Sequence, residues 1–214
     1  MDIKKYTDSL ARQQAELKGY VSTSLAAVQL PASADDMKTG KKNFLTDSGW
    51  TFNVLGIIAF IIGLLIGVPG VWITGCAAVL AGCYCIVKGK QQLRLEAYRD
   101  TGMKLRQAVE SCVAHISKTW TGFVTSQNDT LRRDIVASAM SDADKAKALG
   151  GITGGSWLHV DLNDMDAEIE KAADAEDVAA YRRCVPEISG RLSQAVDLAA
   201  KAQADVYGGL TAAN

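Results

Sequence analysis

His115 and His159 are the only two histidines in the chain, and imidazole is its scarcest reactive group. Neither has a Cys, Asp or Glu at metal-ligand spacing. Without an imidazole nearby, no Ser or Cys is marked as an activated nucleophile. The glycine-rich run GGITGGS at 150–156 superficially offers a phosphate loop. That chemistry depends on a Lys at its end, and Trp157 stands there instead. The run therefore reads as a hinge. Asp161-Leu162-Asn163-Asp164-Met165-Asp166 opens like a calcium loop. Its fifth position is Met165, its sixth is Asp166 where Gly is needed, and its twelfth is Ala172 where a bidentate Glu is needed. Acids here read as helix capping. Cys83 and Cys85 are two apart, outside any CxxC pattern. These readings leave no catalytic, cofactor or metal residue to assign, and an enzyme is not expected.

What must position the rest is a long apolar stretch. Residues 50–87 contain no Asp, Glu, Lys or Arg. One membrane helix needs about 20 apolar residues, and this run is nearly twice that. Val68-Pro69-Gly70 interrupts it: Pro69 lacks a backbone donor and Gly70 tolerates positive φ. The expectation is two transmembrane helices, 50–67 and 71–87, turning at Pro69 and Gly70. Gly63 and Gly67 form a GxxxG pair, with Gly56 one heptad back, and Gly75, Ala78 and Gly82 stand on the other arm. Small residues let helices approach closely in lipid. Gly56, Gly63, Gly67, Gly75 and Gly82 are therefore expected at helix-packing positions. No ionisable residue marks a proton or ion pathway. Trp50, Trp72 and Tyr84 are candidate interface aromatics.

Lys38, Lys41 and Lys42 precede the hairpin, and Lys88, Lys90, Arg94 and Arg99 follow it. Positive flanks predict both termini on the cytoplasmic or matrix side. A net charge of −1 gives no footprint for nucleic acid. Five cysteines, three of them in the apolar stretch, argue against a disulfide framework. The first twenty residues carry Asp2, Asp8 and Glu16 and do not read as a secretory signal.

The remainder reads as helices. Residues 1–30 form an amphipathic helix ended by Pro31, and 31–49 a polar linker in which Asp47 or Ser48 caps the first membrane helix. The hairpin occupies 50–88. Residues 89–149 are expected to hold a long helix and short ones. Leu95, Tyr98, Gly102, Leu105, Val109, Cys112, Ile116, Trp120 and Phe123 step along it by threes and fours, a coiled-coil-like seam. A new cap is expected at Asn128 or Asp129, opening a helix at 131–140, and another at Ser141. Residues 150–157 form the hinge. Residues 158–214 form a helical hairpin after a short extended piece, its first helix capped by Asn163 or Asp164 and ending near Cys184. Its second helix starts at Pro186, is lined by Ile188, Leu192, Ala195, Ala199, Ala202 and Val206, and ends at Gly208-Gly209.

The expected class is all-α: an integral membrane helical hairpin with a helical, partly coiled-coil-like soluble domain. A seam needs a partner, so Leu105, Val109, Ile116 and Trp120 are the candidate partner interface. The expected function is a non-catalytic, membrane-anchored accessory subunit of a larger inner-membrane complex, of respiratory or ATP-synthase type. Its partners would be membrane lipid and other subunits, with no cofactor. The alternative is a helical pore-forming protein that inserts the apolar hairpin and homo-oligomerises.

Overall fold

The computed structural model describes residues 3–31, 43–152 and 158–211. Lys38, Lys41, Lys42 and the glycine-rich hinge beyond Ile152 lie outside the described residues. The described residues form six helices and no strand: α1 (Ile3–Ala26), α2 (Phe44–Ile66), α3 (Pro69–Ala137), α4 (Asp142–Gly151), α5 (Leu162–Asp174) and α6 (Val178–Thr211). The chain divides into two compact units, and α3 belongs to both.

The first unit comprises 1–30, 103–172 and 179–214. It is a helical bundle built on α1, the later part of α3 and α6. The Tyr6 hydroxyl donates to Asp134 at 2.6 Å, Gln127 donates to Ser9 at 3.1 Å, and Tyr20 stacks on His115 at 4.0 Å. Low numbers on α1 thus meet high numbers on α3, and the two helices run antiparallel. Gln14 and Lys18 reach Asp197 on α6 at 2.6 and 2.9 Å, and the rings of Tyr6 and Tyr207 are 5.9 Å apart. α1 is therefore antiparallel to α6 too. α5 meets α3 through Arg106 and Asp166, and α6 through Arg191 and Glu168. Arg132 donates to the Ile152 carbonyl at 3.1 Å and ties down the end of α4.

The seam residues Leu105, Val109, Cys112, Ile116 and Trp120 are each at most 1% exposed. The apolar stripe thus finds its cover inside its own chain. These residues are core, which corrects the expectation that they form a surface for another subunit. Beyond Ile116 the buried positions step to Trp120, Val124 and Asn128, then Leu131 and Ile135. Counting the step from Cys112 to Ile116, four steps of four follow in succession, and such a departure from alternating threes and fours locally unwinds a heptad seam.

Several expected boundaries move, each for a packing reason. α3 runs through Asn128 because that side chain is buried and accepts from Gln203 on α6 at 3.1 Å, so it caps nothing. Leu131 and Ile135, both fully buried, hold the helix together to Ala137. α5 starts at Leu162 because Asp161, not Asn163 or Asp164, accepts the free backbone N–H of Asn163. It ends at Asp174, before a turn in which Glu176 has φ 48°. Pro186 lies inside α6 rather than at its start. α6 also passes Gly208-Gly209. Two helical glycines cost about 1 kcal/mol each, whereas burying Tyr207 and Leu210 contributes about 1.5–3 kcal/mol each. After Leu192 the buried face is Val196, Ala199, Gln203 and Tyr207, one position from Ala195, Ala202 and Val206. Apolar type alone could not show that a Gln belongs inside. Ser141 caps α4 as expected, its hydroxyl accepting from the Asp144 N–H.

Candidate functional site: an apolar helical hairpin

The second unit comprises 31–102 with 173–178, and α2 packs antiparallel on the first part of α3 within it. α2 begins at Phe44, earlier than expected, because Asn43 is the cap. Its carboxamide accepts from the Leu45 N–H at 2.9 Å and donates to the Gly89 carbonyl at 3.1 Å. One side chain thus ends one helix and clips it to the other. Asp47 sits in the first turn of α2, where the helix dipole favours an acid.

At the far end the left-handed residue is Gly67, with φ 73°. The N–H groups of Gly67 and Val68 both bond to the Gly63 carbonyl, at 3.1 and 3.2 Å. Pro69 is already the first residue of α3, where a missing donor and fixed φ cost nothing. The turn therefore falls at Gly67 and Val68, just before the expected Pro69-Gly70. A side chain at Gly67 or Gly70 would meet nothing within 4 Å. Gly67 serves as a cap and takes no part in the packing.

What joins the two helices is a heptad of glycines on each. Gly49, Gly56 and Gly63 on α2 face Gly82, Gly75 and Trp72 on α3, and Gly89 lies against Thr46 and Leu45. A Cβ built at Gly56 would lie 2.8 Å from the Gly75 carbonyl oxygen, and one at Gly49 would lie 2.7 Å from that of Gly82. A Cβ at Gly63 would collide with the Trp72 backbone. The spacing holds only because these positions lack side chains. Gly49 and Gly89 extend the seam past both expected ends of the hairpin. Their signal was the seven-residue interval, which the GxxxG pattern at Gly63 and Gly67 obscures.

Most of the other apolar side chains turn outward, while Val79 and Ile86 lie against Gly56 and Gly49. Leu55, Ile58, Ile61, Leu65, Leu80 and Val87 are exposed. The most apolar window of α2 has mean hydropathy 2.2 with 17% of it buried, and that of α3 has 1.9 with 11% buried. Both helices are long and apolar enough to cross a membrane. Two of their hydroxyls bond to their own helix backbone: Thr51 donates to the Asp47 carbonyl and Thr74 to that of Gly70. The Cys83 thiol points at the Asn53 carboxamide oxygen, 3.7 Å away. A shallow groove between the helices is walled by Ile57, Phe60, Cys76, Val79 and Leu80. Trp50, Trp72 and Tyr84 are on the outer surface.

The residues first weighed for chemistry are occupied otherwise. His115 is exposed and stacks on Tyr20 of α1 at the bundle surface. His159 borders a shallow surface groove with Asp161, Asp164 and Arg191. Asp166 is held below the usual carboxylate range by its hydrogen bond from Arg106. Burial pushes the Cys184 thiol up to about 11 and raises Cys112 as well. Among the described residues no three His, Cys, Asp or Glu side chains converge on a metal position. Gly150 and Gly151 of the glycine-rich run are the helical end of α4.

Comparison with family models, curated proteins and solved structures returns no match for this chain.

Proposed function

We propose that the chain is a membrane-anchored helical protein with a structural role, in which α2 and the start of α3 cross the bilayer as a preformed hairpin. The observation that supports this reading is the inverted packing of the hairpin: its glycine faces bury each other and most of its branched apolar side chains face outward. In water such a surface would associate nonspecifically. In lipid it is matched to its solvent, and close glycine contact supplies the packing. Lys88 and Lys90 at the hairpin's open end support an orientation in which that end, and both termini, face the cytoplasmic or matrix side. The role this architecture fits is an accessory subunit of a larger inner-membrane assembly. Because the seam of α3 is covered within the chain, contacts with other subunits fall to the outer faces of the hairpin and bundle.

Alkaline extraction of membranes followed by native mass measurement after gentle detergent solubilisation tests the reading. Retention in the membrane and a heteromeric particle are expected. Release by alkali would remove the anchor. A homo-oligomeric ring that leaks dye from vesicles would replace the subunit role with pore formation.

A further inference from the structure

We infer that the open end of the hairpin is a two-sided collar for the headgroups of acidic phospholipids, with Lys88 and Lys90 as its ammonium contacts. The inference rests on the membrane reading above and names the lipid class it involves. Residues 48–87 carry no charge, and on α3 charge resumes at Lys88. Gly89, between the two lysines, is buried against Thr46 and Leu45 of α2. At about 100° per residue, neighbours of a seam position point to opposite flanks of the helix pair. One ammonium therefore stands on each side of the hairpin.

Both lysines are exposed, and neither has a hydrogen bond or ion pair among the described residues. Arg94 lies one turn beyond Lys90 on the same flank, its guanidinium 5.9 Å from the centre of the Tyr98 ring. The first acid on α3 past the hairpin is Glu96. On the apolar side of the collar Tyr84, Val87 and Phe44 are exposed. A phospholipid matches both parts: its phosphate meets an ammonium while its acyl chains lie along the exposed apolar surface just below. A soluble phosphate would meet only the charge, so the collar is assigned to lipid.

The test uses the full chain with vesicles of phosphatidylcholine alone and of phosphatidylcholine mixed with phosphatidylglycerol. Partitioning is expected to favour the acidic vesicles and to lose that preference with added salt. Each lysine near an anionic surface contributes roughly fivefold, so Lys88→Gln with Lys90→Gln should cut the preference roughly 25-fold. Replacing both with Arg should preserve it. Equal partitioning into both vesicles, with insertion intact, would overturn the collar and leave the anchor standing. A Gln variant that keeps the full preference would overturn it as well. Failure to enter either vesicle would remove the anchor and the collar together.

Discussion

Gly56 is a position in the middle of the glycine seam where the hairpin has no room for a side chain. An added Cβ there would lie 2.8 Å from the Gly75 carbonyl oxygen and 2.9 Å from a Val79 methyl. That is about 0.6 Å short of the 3.4 Å at which ordinary contact begins. Both neighbours belong to the facing helix, and the oxygen is backbone, so relief requires the helices to separate. Gly56→Ile adds a branched side chain at that point. Overpacking of this kind costs about 1–3 kcal/mol, which lowers the closed population between about 5- and 150-fold. The assay is already half built into the chain. Asn53 faces Cys83 across the seam, so Asn53→Cys should form a disulfide with Cys83 under mild oxidation in membranes. The cross-link should form readily in the parent and fail in Gly56→Ile. Gly70→Ile, where a side chain meets nothing within 4 Å, should leave it unchanged. Efficient cross-linking in Gly56→Ile would refute the glycine seam.

Three further outcomes follow from the bundle. Gln203→Leu leaves the buried Asn128 carboxamide unpaired and should cost about 1–3 kcal/mol in chemical unfolding, while Asn128→Leu combined with Gln203→Leu should recover much of it. Hydrogen bonds from Gln14 and Lys18 hold Asp197 below the usual carboxylate range. The stability this group adds is present above its unfolded pKa and lost as pH falls through the lowered folded value. The acid side of the pH–stability curve should therefore flatten in Asp197→Asn. Cys112 and Cys184 are buried thiols with raised pKa values, so both should resist maleimide at neutral pH until the bundle unfolds.

The helices and the apolar hairpin were legible because both rest on periodicity and charge. A charge-free run with a Pro-Gly break reads as two spans wherever it occurs. The face each residue takes in tertiary packing was less legible. Leu105, Val109, Ile116 and Trp120 form a seam on any reading, but the sequence leaves open whether α1 and α6 or a second protein covers it. The pairings of Tyr6 with Asp134 and of Lys18 with Asp197 settle that, and they join residues far apart in sequence. Asn128 reads as a helix cap until its partner Gln203 is placed beside it. The turn moved to Gly67 because a helix commonly ends on a left-handed glycine and Pro suits a first helical position. Gly49 and Gly89 were visible as heptads and lay outside boundaries drawn by hydropathy alone.

The central claim is that the hairpin crosses the membrane and returns, and sidedness labelling tests it most directly. Single cysteines at Lys5, Val68 and Asp205 would be introduced into a chain whose five native cysteines are replaced by alanine, then treated with a membrane-impermeant maleimide on sealed vesicles. The account predicts that the Lys5 and Asp205 positions label from one face and the Val68 position only from the other. Labelling of Lys5 and Asp205 from opposite faces, or of all three from one face, would contradict it.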